Sequence, residues 1–172
     1  MKNGFTLMEL LVYVAVLAII VSTVATLFFW TISSANKTQA TQETVDSVKF
    51  ALEVMSYEIR AADAVYDPTT VFNSNPGQLS LETSLFLPSG ENISYVDFYL
   101  CDGRLCLKRE SQAPIAITSN KVTVSSLTFK KIITGGAVSV GIEIGADYIN
   151  PGGRPELQAI ISASSTVALR KY

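Results

Sequence analysis

Three patterns of apolar and polar residues follow one another along the chain. The first is an uninterrupted apolar run. From Leu10 to Asn36 there are 27 residues without a charge, and a helix rising about 1.5 Å per residue needs only about 20 of them to cross a bilayer core of about 30 Å. The polar interruptions, Ser22, Thr23, Thr26 and Thr31, are hydroxyls that can bond back to the carbonyls of their own helix. Leu10 to Ile32 is therefore a membrane-spanning candidate, with Phe28, Phe29 and Trp30 suited to the far interface. The second pattern has the helical period. Val45, Val48, Leu52, Met55, Ile59 and Ala62 recur at steps of three and four, while Glu43, Asp46, Lys49, Glu53, Glu58 and Arg60 fall largely off that stripe. Neither proline nor glycine occurs between Phe5 and Tyr66, so one helix of about 90 Å is expected there, closed by Asp67-Pro68.

Beyond Pro68 the period becomes two. Alternating runs at 79–81, 93–98, 105–107, 122–124, 127–129, 138–144 and 157–169 read as strands. Turn signals separate them at Asn75-Pro76-Gly77, Pro88-Ser89-Gly90, Asp102-Gly103, Gly135-Gly136 and Asn150-Pro151-Gly152-Gly153. Strands joined by turns, with no helices between, predict an antiparallel sheet with one face on the helix. The expected class is α+β: a long N-terminal helix, first transmembrane and then amphipathic, packed on an antiparallel β-sheet domain.

Composition narrows the chemistry. The chain is 48% hydrophobic and 16% charged, with a formal net charge of -2 and no histidine. The charge gives no case for nucleic acid as a partner. Without histidine there is no Ser/His/Asp or Cys/His constellation and no histidine-based zinc site. No catalytic residues, cofactor or metal are expected. Asp147, Asn150 and Glu156 surround a glycine-rich loop, but their spacing matches no EF-hand and they read as turn formers. Gly135-Gly136 lacks the lysine and the strand–helix context of a phosphate loop.

The segment before the apolar run is the most specific. Lys2-Asn3-Gly4-Phe5-Thr6-Leu7-Met8-Glu9-Leu10-Leu11-Val12 resembles the N-terminus of type IV pilins and of the pseudopilins of type II secretion. A short basic leader ends in Gly, Phe follows, Glu stands four residues later, and the hydrophobic helix begins. A secretory signal peptide is the competing pattern, but its apolar stretch runs only about 7–15 residues. The resemblance implies cleavage by a prepilin peptidase between Gly4 and Phe5, methylation of the new amino group of Phe5, and pairing of Glu9 with the N-terminal amine of a neighbouring subunit. It divides the chain into a leader (1–4), a transmembrane and assembly helix (5–36), the amphipathic half of the same helix (37–66) and a β-rich head (67–172).

A minor pilin or J-type minor pseudopilin is the closer likeness. The hairpin-like stretch 93–109 with its Leu107-Lys108-Arg109 end, Glu58-Ile59-Arg60, and the closing 165–170 carry it, and the proline common in major pilins is replaced by Thr26. Such a subunit would lie in the cytoplasmic membrane among lipid, single-pass, with its head outside the cytoplasm. It would join other subunits in a helical filament (a pilus, a secretion pseudopilus or a DNA-uptake filament) with the help of an inner-membrane assembly platform. The alternative is a membrane-anchored β domain, a binding protein or enzyme, that never assembles.

Cys101 and Cys106 fit a disulfide in an oxidising compartment or two reduced thiols in a strand pair. A two-residue turn at Asp102-Gly103 would leave them diagonal partners, typically about 7–8 Å apart at Cα. A four-residue loop would oppose them directly, and the expectation is that loop with a bond.

Overall fold

The computed structural model describes residues 7–85 and 87–170. A single helix, α1, runs from Leu7 to Ala61, about 80 Å along its axis. Eight strands follow: β1 (Ala64–Val65), β2 (Leu79–Thr83), β3 (Ser94–Cys101), β4 (Arg104–Arg109), β5 (Ile115–Ala116), β6 (Val122–Thr134), β7 (Ala137–Tyr148) and β8 (Ile160–Ala168). They form two antiparallel meanders rather than the one sheet expected, a five-stranded β1-β2-β3-β4-β5 and a three-stranded β6-β7-β8.

The helix ends five residues before the predicted Tyr66. The Asp63 amide donates to the Glu82 carbonyl at 2.8 Å and the Tyr66 amide to the Ser80 carbonyl at 2.9 Å. The edge of β2 thus takes amides that a further helical turn would have used, and Val65-Tyr66 are residue types at home on a strand. The 37–66 segment is corrected accordingly: its helix stops at Ala61, and the β-rich head starts with β1. The buried stripe of α1 is also rotated from the sequence reading. Ala40, Thr44, Ser47, Val48, Ala51, Met55, Glu58 and Ile59 are buried, whereas Val45 and Leu52 lie half-buried at its flank. Small residues on that stripe let the helix axis approach the strands, chiefly β7 and β8. The core closes with Leu79, Leu81, Val96, Phe98, Leu105, Val140, Ile142 and Ile144.

One irregularity explains why 122–124 and 127–129 read as two strands. Both belong to β6, and the register shifts between Val124 and Ser126. Side chains alternate across a strand, so Val122 and Val124 could not share a face with Leu127 and Phe129 in a regular one. The bulge resets the alternation, and all four are buried. The final run is divided too, into a single 3-10 turn at Pro155–Leu157 and β8 from Ile160.

The cysteine expectation is half right. Cys101 and Cys106 form a disulfide, but Cys101 pairs with Arg104 across a two-residue turn, not a four-residue loop. Asp102 and Gly103 both have positive φ, 48° and 72°, as a type I′ turn requires. The cysteines are diagonal neighbours with Cα atoms 5.9 Å apart. The right-handed twist of the hairpin accounts for this approach, since it shortens one diagonal of a strand pair while lengthening the other. Gly103→Ala is expected to lower stability by about 1–2 kcal/mol. Its added Cβ would also meet Thr123 Cγ2 at 3.2 Å. Urea unfolding would measure the loss, and an unchanged midpoint would show that the turn tolerates a side chain.

Candidate functional site: the exposed helix and its seat on the head

Every residue of α1 from Leu7 to Ala35 is exposed. The apolar half of the helix therefore projects from the head as a rod of about 44 Å. Its most apolar 18-residue window has a mean hydropathy of 2.6, with none of the window buried. Exposed apolar area on this scale marks an association or membrane surface. Length and composition suit a membrane span. The hydroxyls between Ser22 and Thr31 are satisfied locally: Ser22 donates to the Ala18 carbonyl at 2.7 Å, Thr23 to the Ile20 carbonyl at 2.8 Å, Thr26 to the Ser22 carbonyl at 2.9 Å and Thr31 to the Leu27 carbonyl at 2.9 Å.

Glu9 lies in the first turn of the described helix, on the exposed rod. A carboxylate there meets the favourable end of the helix dipole. Gly4 and Phe5, the predicted cleavage and methylation residues, lie outside the described residues.

The polar half of α1 is seated on the head by two groups that sequence reading does not pair. Glu58 is 4% exposed, and its Oε1 accepts a hydrogen bond from Arg109 Nη2 at 2.5 Å. This bond joins the helix to the end of β4. Both residues belong to family-like fragments, yet nothing in a single sequence says that they meet. The second group lies nearer the rod. The Ser119 hydroxyl donates to Glu43 Oε1 at 2.7 Å, the Ser119 amide donates to Ser47 Oγ at 2.9 Å, and Lys121 Nζ lies 3.6 Å from Glu43 Oε2.

The Ser119 hydrogen bond, aided by Lys121 and opposed by partial desolvation, holds the Glu43 carboxyl below its ordinary value of 4.5. A depressed folded-state value means that the unfolded chain binds this proton more tightly. The stabilisation is therefore complete above the ordinary value and is lost as pH falls through the depressed one. Ser119→Ala is expected to flatten this part of the acid-side decline, measured as unfolding free energy against pH. An unchanged profile would show that the contact carries no proton linkage.

The glycine-rich loop is a turn. Asn150 Nδ2 donates to the Arg154 carbonyl at 2.7 Å, and the Arg154 amide donates to Asn150 Oδ1 at 3.0 Å. Asp147 accepts from the Ser125 hydroxyl at 3.4 Å. Among the described residues no cluster of three His, Cys, Asp or Glu side chains could hold a metal ion. A mixed-charge groove of about 830 Å³ lies between α1, β8 and the loop after β2, and includes Lys49, Glu53, Arg60, Asp63, Leu85 and Arg170.

Comparison with known proteins bears on the same helix. Residues 1–25 match the family model described as the prokaryotic N-terminal methylation motif. Over 99 residues the chain is 34% identical to the pilin-like protein PilA3 of Thermus thermophilus. That match covers 56% of this chain and 40% of the relative, so the chain spans well under two thirds of the relative's length. Among solved structures it is similar to the type IV-like pilin TTHA1219 from Thermus thermophilus, with a TM-score of 0.49 and 11% identity over 73% of this chain and 95% of that one.

Proposed function

We propose that this chain is a member of the type IV pilin family, on the strength of its N-terminal methylation motif and its likeness to a pilin-like protein, and that it is a minor pilin or pseudopilin that enters a helical filament through its N-terminal helix. Members of the family are structural subunits, not enzymes. The observation that carries the reading is the junction of two features on one helix. A methylation motif covers its start, and the apolar rod that follows is exposed along its whole length from Leu7 to Ala35.

On this reading a prepilin peptidase cuts between Gly4 and Phe5 and methylates the Phe5 amine. The precursor waits in the inner membrane with its head outside the cytoplasm. Lipid covers the rod until an assembly platform transfers the subunit to the filament, where the rods of other subunits replace lipid. The Glu9 carboxylate then pairs with the Phe5 amine of a neighbour. Contacts of this kind are heterologous, so each subunit presents two different surfaces and the assembly need not close.

The mature N-terminus tests the proposal. Co-expression with a prepilin peptidase is expected to yield a chain beginning at Phe5 with a methylated amine, read by intact-mass and peptide mass spectrometry. A chain that keeps Met1 in the presence of an active peptidase would leave the helix as a plain anchor for the β head.

A further inference from the structure

We infer that the head is built to stand on the bilayer, with the β7–β8 loop pressed into the lipid headgroup layer as a foot beside the helix. The inference rests on the reading of the apolar rod as a membrane span. The loop folds back onto α1 near the end of the apolar run. Pro155 and Glu156 share a cleft with Trp30, Ser33, Ser34 and Lys37. Trp30 closes the aromatic triplet at the end of the apolar run, is 72% exposed, and is the residue type that settles at the membrane–water interface. Trp30 and Lys37 are about 10 Å apart along the helix. A headgroup layer is about 5–8 Å thick, so a loop touching α1 between these residues lies in or directly on that layer.

The loop has the surface for such a place. Ile149 and Ile160 flank it and are 43% and 75% exposed. Pro151, Arg154 and Pro155 are exposed as well. Arg154 and Lys37 supply cations there beside the Glu156 carboxylate of the same cleft, and Asn150 clamps the loop through both bonds to the Arg154 backbone. Apolar and aromatic side chains interleaved with a few cations suit an interface more than open water. The far end of the same sheet is elsewhere. Ser165 and Arg170 line a groove with Arg60 and Asp63 at the other end of the helix's seat. β8 thus climbs along α1, and the β6–β7 hairpin at Gly135-Gly136 points away from the foot. The occupant is lipid because the foot meets α1 beside Trp30, where the apolar span ends.

The chain contains one tryptophan, so fluorescence can place each level in turn. The full-length chain would be reconstituted at low protein-to-lipid ratio in vesicles of phosphatidylethanolamine and phosphatidylglycerol doped with headgroup-nitroxide lipid. Trp30 of the unmodified chain is expected to be quenched. In a Trp30→Phe background, Pro155→Trp and, independently, Ile160→Trp are expected to lose most of their emission, while Ile133→Trp, beside the far hairpin, keeps it. Quenched Trp30 with unquenched reporters at both loop positions would overturn the foot and leave the span intact. Quenching of the loop reporters only when filaments form would assign the surface to a neighbouring subunit and likewise overturn it. Unquenched Trp30 would remove the membrane span itself.

Discussion

Glu9→Val is expected to abolish incorporation into filaments while leaving membrane insertion intact. The substitution makes the rod more apolar, so nothing opposes its entry into lipid. Assembly differs because the surroundings of position 9 become other helices. A carboxylate held in such a bundle needs a cation, and translocon-based estimates put a mid-membrane acid at about 3 kcal/mol. On the proposed function a neighbour's Phe5 amine would meet that need, and only at one axial stagger. Without Glu9 the neighbour's ammonium is the orphan, and an unpaired cation in the membrane costs about 3 kcal/mol on the same scale, which weakens association by roughly two orders of magnitude at each subunit contact. Membrane fractions probed for the head should hold as much variant as native chain, whereas sheared filaments should hold almost none. Equal recovery in filaments would disprove charge pairing as the source of register.

Arg109→Met is expected to be the most damaging single change in the seat of the helix. It leaves Glu58, 4% exposed, without its Arg109 hydrogen bond. Removing one partner of a buried pair costs about 3–5 kcal/mol. Arg109 is 24% exposed, so the lower end applies, near 3 kcal/mol. For a head of this size that lowers the melting temperature by on the order of 10–20 °C. Near-ultraviolet circular dichroism of the detergent-solubilised chain would follow the transition. Adding Glu58→Met should recover most of the loss, because two apolar side chains of similar volume can replace a buried pair at little cost. A single variant that melts like the native chain would show that other contacts seat the helix unaided.

The parts of this molecule that the sequence announces are those with a strong one-dimensional signal. An uncharged run of 27 residues can do few things, and the structure leaves it bare as expected. The dipeptides Asp102-Gly103 and Gly135-Gly136 mark turns because positive φ is a local property, and all four residues adopt it. What the sequence hides is pairwise and distant. Glu58 and Arg109 are 51 positions apart, and neither looks unlike a solvated charge until the fold joins them. The helix end is hidden for a similar reason. Pro68 is a visible stop, but the stop that acts is the edge of β2, which claims the amides of Asp63 and Tyr66. The hairpin shows a third limit. Flat-sheet distances set the turn against the disulfide, and twist, which a residue pattern does not carry, allows both.

The order of synthesis gives the seating of α1 a further meaning. The helix is made before the head, yet its buried stripe is covered chiefly by β7 and β8, which follow the other six strands described. The five-stranded meander pairs only neighbours in the chain, so its contacts are short-range and quick to close. It can form while Met55 and Ile59 still lack most of their cover. Completion therefore waits on Val167 and the strand around it. A chain released before β8 would carry a whole rod and most of a head, but only part of the cover for the polar half of its helix. An uncovered apolar stripe exposes a chain to proteases and chaperones, so β8 is the strand whose loss would leave that stripe half bare.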